Sequence, residues 1–343
     1  MSEIQLSTGG QVAEAEEASR RPLRTVFMGT PDFACAPLKA LYFHPDVELL
    51  ALVSQADKAQ GRHQELRPTA TKQLAETWGL PVYQPRALRD GQFYQDMAAL
   101  EPELIITCAY GRIVPQEVLD LPRCGAYNLH ASLLPKYRGA SPMQWALING
   151  DSETGVTVIQ MDSEMDHGPI FAQRKLKIEA DMHLPELSKM LSYLAAELAQ
   201  DFVAALAGGY AEGQEQEHEQ ASYVSLLKRE DGELDWSRPA RELYNQLRGM
   251  DPWPGVHSGY KGRKLKIYQA RPLRLSELPD LPSEQEAWPA GSLLRPQGCK
   301  RRLLVRCAED TVLELLEIQL EGAKRLLAQE LAHNFIPGTV LAL

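Results

Sequence analysis

Leu104-Ile105-Ile106-Thr107-Cys108 is an uncharged run, short enough for a strand and apolar at successive rather than alternate positions. Such a strand is predicted to be buried on both faces, as in a parallel sheet covered by helices. The residues before it repeat the theme. Arg24-Thr25-Val26-Phe27-Met28-Gly29 reads as a buried strand entering a glycine turn, and Pro31 to Leu41 as a helix. Val47 to Val53 reads as a second strand, Thr71 to Gly79 as a helix stopped by its glycine, and Pro81-Val82-Tyr83 as the start of a short strand. Strands alternating with helices predict an α/β, doubly wound, mostly parallel sheet. Such sheets bind ligands beyond the carboxyl ends of their strands, where Gly29 and Asn128 to Ser132 fall.

Further along, Gly155 to Met161 reads as another strand and Leu184 to Leu206 as a long amphipathic helix ended by Gly208-Gly209. Residues 210–221 are polar and Glu/Gln-rich without apolar period, which predicts an exposed linker. Strand-like segments then recur between Pro/Gly turns at Lys264 to Ala270, Leu303 to Cys307 and Val312 to Ile318, with one clear helix near Arg238 to Met250. Residues 222–343 are therefore expected to form a smaller, largely antiparallel barrel after an α/β domain at 23–209. Residues 1–22 lack both the apolar core of a secretory signal and the acid-poor character of a transit peptide. They are expected to be a disordered extension outside the fold.

At 343 residues, with 44% hydrophobic and 24% charged side chains, the chain suits a soluble two-domain protein. No run approaches the roughly 18 apolar residues that span a bilayer, so a cytoplasmic protein without membrane contact is expected. The cysteines at 35, 108, 124, 299 and 307 are odd in number and form no CxxC pair. They read as small core residues in a reducing compartment, with no metal site or disulfide framework. The net charge of −10 is uneven: residues 222–306 hold 16 basic against 10 acidic side chains. That segment could meet a polyanion although the chain is acidic, and a solvated mixed surface is the plain alternative.

The chemistry is expected in Asn128-Leu129-His130, with Asp166 in a polar loop downstream. Alternation along a strand points the amide and the imidazole one way and Leu129 the other. An amide that cannot titrate, an imidazole that can, and a carboxylate able to set its charge suit acyl transfer. Taken singly, Asn128 reads as a capped turn residue and His130 as a satisfied core histidine. Met28-Gly29-Thr30-Pro31 lacks the GxGxxG fingerprint, which disfavours a nicotinamide dehydrogenase and leaves Gly29 as a tight turn.

Three segments together resemble the folate-dependent formyltransferases. Asn128-Leu129-His130-Ala131-Ser132-Leu133-Leu134-Pro135-Lys136-Tyr137-Arg138-Gly139-Ala140-Ser141-Pro142 is similar to the family signature. Gly155-Val156-Thr157 through Met161-Asp162-Ser163-Glu164-Met165-Asp166-His167-Gly168-Pro169-Ile170 is similar to its carboxylate loop, and Gly29 to Ala34 to its first turn. The resemblance implies a Rossmann-like sheet followed by an OB-like β-barrel. It further implies Asn128, His130 and Asp166 as catalytic residues acting through a tetrahedral intermediate. Ser132, Leu133, Leu134 and Pro135 match its folate-contacting segment. By their type, they would wall a pterin and offer backbone groups to its polar edge. Asp162 reads as a structural cap, and His167 as solvent-exposed.

Two features resemble the branch of the family that acts on aminoacyl-tRNA. Gln60 to Pro68 matches its tRNA-contacting loop, with Arg62 retained but Gln64-Glu65 where adjacent lysines are common. Asp251-Pro252-Trp253-Pro254-Gly255 and Phe335-Ile336-Pro337-Gly338 match its carboxyl-terminal barrel. The resemblance thus implies 10-formyltetrahydrofolate as donor and methionine on initiator tRNA as acceptor, with no metal and no obligate protein partner. Lys261, Arg263, Lys264 and Lys266, interleaved with Tyr260 and Tyr268, would hold tRNA phosphates; the bland reading is a lysine-rich edge that blocks sheet aggregation. A formyl-folate hydrolase, a sugar-amine formyltransferase and a non-catalytic RNA-binding protein are the alternatives.

Overall fold

The computed structural model describes residues 21–60 and 65–342. Most of the expected amino-terminal extension, and Arg62, lie outside the described residues. The chain forms two compact units whose segments interleave in sequence. Of the described residues, one comprises those up to Arg138 with Gly155–Lys175 and Lys189–Ser222; the other comprises Gly139–Thr154, Leu176–Ser188 and those from Tyr223.

The first unit is built on seven strands: β1 (Leu23–Gly29), β2 (Val47–Val53), β3 (Val82–Tyr83), β4 (Leu104–Cys108), β5 (Ala126–His130), β6 (Glu153–Gln160) and β7 (Ile170–Lys177). Their order across the sheet is β7-β6-β5-β4-β1-β2-β3. The pairs among β1 to β5 are parallel, and β5 meets β6 antiparallel, with His130 opposite Thr157. The sheet is thus mostly parallel, as expected. Order reverses between β1 and β4, so the ligand crevice belongs beyond their carboxyl ends.

All of β4 is buried. Ile105 packs in one cluster with Val26, Met28, Val53 and Phe93, while Phe27 and Ile106, equally buried, alternate to the opposite face. Each such side chain contributes about 1.5–3 kcal/mol on leaving water. Gly29 is required by packing: a Cβ there would lie 2.9 Å from the Cys108 carbonyl oxygen. The turn it opens is tied down by Thr71 Oγ1 donating to the Gly29 carbonyl at 2.9 Å and Thr30 Oγ1 to the Tyr110 carbonyl at 3.0 Å.

Local chemistry moved several boundaries. The helix expected from Pro31 opens as a 3-10 turn at Asp32–Ala34 and becomes α-helical only in α1 (Cys35–Tyr42). Helix α2 (Ala70–Thr77) starts one residue early because the Thr69 side chain caps it, accepting from Lys72 N–H. Helix α3 (Pro142–Ile148) precedes β6. Helix α4 (Leu184–Gly208) is, by length and composition alone, apolar enough to cross a membrane, contrary to the expectation that no segment approaches this. Its buried stripe Leu187, Leu191, Ala195, Ala199 and Val203 recurs every fourth residue, and Ser192 Oγ donates to the Phe33 carbonyl at 2.7 Å.

Two further expectations are corrected. Within the linker, Gln216 is 5% exposed, and Gln214 pairs with Ile170. Arg21, counted in the extension, donates to Glu103 Oε1 at 2.9 Å. Burial raises the Glu103 carboxyl, but the Arg24 N–H and the Arg123 and Arg21 guanidinium groups outweigh it and hold the pKa at about 2.

The second unit carries helix α5 (Ala240–Met250) and strands β8 (Val256–Tyr260), β9 (Arg263–Arg274), β10 (Leu293–Leu294), β11 (Leu303–Arg306), β12 (Thr311–Leu320) and β13 (Leu326–Leu327). The order is β8-β9-β12-β11-β10 with β13 also on β12, and the pairs are antiparallel. Lys261 and Gly262, with φ of 50° and 73°, close the β8–β9 hairpin in the left-handed conformation that matches strand twist. Leu243, Leu265, Leu313 and Ile318 anchor the core beneath α5.

Candidate active site

Asn128 and His130 occupy one face at the carboxyl end of β5. Register sets Thr107 of β4 beside Asn128. Thr107 Oγ1 donates to Asn128 Oδ1 at 2.8 Å, which fixes the amide: its oxygen turns to the threonine and its NH2 turns to the site. From there Asn128 Nδ2 donates to Asp166 Oδ1 at 3.3 Å, and His130 Nδ1 lies 3.5 Å from the same oxygen. The three residues named from sequence therefore converge on one carboxylate oxygen. On the other side of the ring, His130 Nε2 lies 2.9 Å from the Tyr137 carbonyl. A carbonyl only accepts, so Nε2 carries a proton and Nδ1 is the nitrogen that communicates with Asp166.

The loop after β6 brings the carboxylate back to β5. Asp166 adopts a left-handed backbone, φ 52°, a region L-residues enter sparingly. Gly168 allows the return, since a Cβ there would stand 2.1 Å from the Gln160 carbonyl oxygen. Asp162 caps the loop: Oδ1 accepts from Glu164 N–H at 2.8 Å and Oδ2 meets His167 Nδ1 at 3.1 Å. His167, expected to be simply solvated, is half-buried and stacks on His218, centroids 4.2 Å apart.

Ser132 to Pro135 form a tightly tied turn. Thr157 Oγ1 donates to the Ser132 carbonyl at 2.6 Å and accepts from Leu134 N–H at 3.2 Å. Gln173 Nε2 donates to the Leu134 carbonyl at 2.7 Å, Ser222 N–H to the Pro135 carbonyl at 3.3 Å, and Ser132 Oγ to the Lys136 carbonyl at 2.6 Å. The Ser132, Leu134 and Pro135 carbonyls and the Leu134 N–H each have a partner within the protein. Half-buried Leu133 is left to supply apolar surface.

In the second unit the basic residues divide. Lys264, Lys266 and Tyr268 follow one another at every second position of β9 and line a cavity of about 430 Å³ with Arg229, Trp253 and His257. Arg263 alternates to the opposite face and donates to the Glu321 carbonyl. Lys261 is exposed at the hairpin tip, its Nζ 5.6 Å from the centroid of the Tyr260 ring. Burial first, then Lys264 and Lys266, push the His257 imidazole below its ordinary value, against the opposing pull of Glu233. The cavity's permanent positive charge thus comes from lysine and arginine.

Among the described residues, no group of three or more His, Cys, Asp or Glu side chains could hold a metal ion. Burial, with Asp32 beside it, raises the Cys35 thiol to about 11, and burial raises Cys307 to about 12, so neither supplies a thiolate near neutrality. Thr107, whose hydroxyl meets the Asn128 amide, is not singled out by the sequence reading, although a single hydroxyl inside an apolar strand is a legible signal.

Comparison with known proteins gives this geometry a family. The formyl transferase pattern matches residues 23–201, and that of the formyl transferase C-terminal domain matches residues 226–335. The methionyl-tRNA formyltransferase of Caldanaerobacter subterraneus subsp. tengcongensis is 39% identical over 322 residues, covering 93% of this chain and 100% of the relative. That of Pelobacter propionicus is 40% identical over 301 residues, 88% of this chain and 90% of the relative. The crystal structure of the Helicobacter canadensis N-formyltransferase, in complex with folinic acid and dTDP-3-aminofucose, superposes with TM-score 0.61 at 16% identity, covering 86% of this chain and 98% of that one; at that identity the likeness concerns the fold. With both of its patterns present in order and relatives matched over nearly their whole length, the chain belongs to the formyl transferase family.

Proposed function

We propose that this chain transfers the formyl group of 10-formyltetrahydrofolate to the α-amino group of methionine on initiator tRNA. The observation that carries the chemistry is the chain of contacts from Thr107 through Asn128 to Asp166 and His130. The acceptor is drawn from the full-length relatives named methionyl-tRNA formyltransferase. In this reading the neutral amine attacks the formyl carbon, and negative charge collects on the formyl oxygen of a tetrahedral intermediate. The second N–H of the Asn128 amide donates to that oxygen without any change of charge. With Nε2 directed at the Tyr137 carbonyl, His130 Nδ1 and the Asp166 carboxylate are left as a pair of proton-accepting groups at the site. The pair takes up the proton the attacking nitrogen sheds. It delivers a proton to N10 of the folate as the C–N bond breaks, and the proton count closes.

The second unit is read as an OB-like barrel for the tRNA. Lys264, Lys266 and Arg229 would meet phosphates around the cavity, Trp253 offers a half-exposed ring to a base, and Lys261 extends the surface at the hairpin. Arg62 is retained as a tRNA contact on the family resemblance. Ser132 to Pro135 are retained as the folate-side segment, with Leu133 as its apolar contact. As an enzyme of translation initiation the protein would act in the cytoplasm.

The test is formyl transfer from 10-formyltetrahydrofolate to charged initiator tRNA, run beside charged elongator tRNA and beside no tRNA. Formylation of the initiator above the elongator is expected. Folate deformylation that proceeds equally without tRNA would make the protein a hydrolase instead, and formylation of a sugar amine in preference to methionyl-tRNA would move it to that branch.

A further inference from the structure

We propose that Gln216 is a positioning residue for the Asp166 carboxylate. The proposal deepens the reading above, because it takes Asp166 as a working group of the formyl-transfer site. Gln216 lies between the two family-matched ranges, 23–201 and 226–335, in the polar stretch whose sequence predicts a linker. Nonetheless it is 5% exposed. Its Nε2 donates to the Asp166 carbonyl at 2.9 Å and to the Gly168 carbonyl at 2.7 Å, so one amide clamps the backbone on both sides of His167. Its Oε1 accepts from Arg138, from Nη2 at 2.8 Å and Nε at 3.2 Å.

The amide orientation follows from chemistry. A guanidinium only donates and a carbonyl only accepts, so the oxygen must face Arg138 and the NH2 must face the loop. Arg138 is itself 1% exposed, and its Nη2 also donates to His218 Nδ1 at 2.8 Å. His218 in turn stacks on His167, and His167 meets the Asp162 cap. The loop is thus held through its carbonyls by Gln216 and through its side chains by the imidazole stack.

This clamp matters because Asp166 has a backbone conformation that an L-residue does not hold by preference, φ 52°. The carboxylate must still meet both Asn128 Nδ2 and His130 Nδ1 from that position. Two hydrogen bonds to the carbonyls of residues 166 and 168 fix the turn that aims it. Without them the loop can relax while the rest of the sheet stays folded, and a displacement on the order of 1 Å costs about 100-fold in rate.

The experiment compares wild type, Gln216→Leu, Gln216→Glu, Asp166→Ala and the double variant Asp166→Ala/Gln216→Leu in steady-state formyl transfer, with melting curves for each. Gln216→Glu keeps the shape and a partner for Arg138 while setting a carboxylate against the two carbonyls. Expected are a kcat about 10- to 100-fold below wild type in both single Gln216 variants and KM for formyl-folate within about twofold, with cooperative melting retained in at least one. In the Asp166→Ala background Gln216→Leu should cost nothing further, since the group it aims is gone. The proposal is overturned by kcat within twofold of wild type in both Gln216 variants, or by a loss that adds in full to that of Asp166→Ala. It is equally overturned if neither Gln216 variant melts cooperatively, because the residue would then serve folding. Failure of the parent reading is distinguishable: wild type itself would transfer no formyl group to charged tRNA.

Discussion

At the scale of single residues, the chemistry depends on which end of an amide faces the site. In the proposed reaction Asn128 serves as the donor, and Thr107 occupies its oxygen, so the NH2 is presented without a search among orientations. Asn128→Ala removes the donor and is expected to lower kcat by about 10²–10³, the usual cost of one oxyanion contact. Thr107→Val keeps the shape, leaves Oδ1 unanswered and lets the amide turn, so a smaller loss of about 10-fold is expected. Single-turnover rates with charged initiator tRNA measure both. Equal losses in the two variants would mean that Thr107 does more than orient, and an unchanged Thr107→Val rate would mean the amide is held by something else.

At the scale of elements, the amino-terminal edge of the first sheet is tied by charge. Glu103, at the start of β4, collects the Arg24 N–H, Arg123 Nη2 at 2.7 Å and Arg21 Nη2 at 2.9 Å. Its folded pKa of about 2 lies below the ordinary carboxylate value of 4.5. A depressed carboxyl stabilises the fold fully above the unfolded value, and that contribution is lost as pH falls through the folded one. Wild-type thermal stability should therefore decline from about pH 4.5 toward about pH 2, and Glu103→Gln should flatten that limb while lowering the plateau above it. Melting temperatures of the two proteins across this range decide the matter; parallel curves would show that Glu103 is not the titrating group. The same logic, without a number, holds for Glu314 between Arg302 and Arg271 in the second unit, where these two partners outweigh the effect of burial and the carboxyl is likewise lowered.

At the scale of the whole molecule, an acidic chain must concentrate its positive charge to hold a polyanion. The cavity bounded by Arg229, Lys264 and Lys266 does so on one face of β9. Lys264→Glu/Lys266→Glu is expected to weaken binding of initiator tRNA several-fold and to reduce the slope of log affinity against log salt by about 2, with formyl-folate binding unchanged. Arg263→Glu should do less, because Arg263 points to the other face and is engaged with Glu321. A filter-binding titration at several salt concentrations reads both. An unaltered slope in the double variant would assign these lysines to blunting a sheet edge.

Much of this protein was legible in its sequence because periodicity reports burial. The unbroken apolar run at 104–108 implied a parallel strand, and alternation placed Asn128 and His130 on one face; both follow from backbone geometry that every strand shares. The approach of Asp166 could be expected only through resemblance, since 36 residues separate it from His130 and no local rule measures that gap. Gln216 was unreadable. In a run of glutamines and glutamates nothing distinguishes the one that is buried, and its place follows from Arg138 and two backbone carbonyls far away in the chain. The division of Arg263 from Lys264 was legible in principle, by alternation, yet the cavity that gives it meaning required the packed antiparallel sheet of the second unit. Local pattern determines which residues face inward, whereas long-range hydrogen bonding decides which inward-facing polar groups meet, because those partners are chosen by the fold and not by neighbours in sequence.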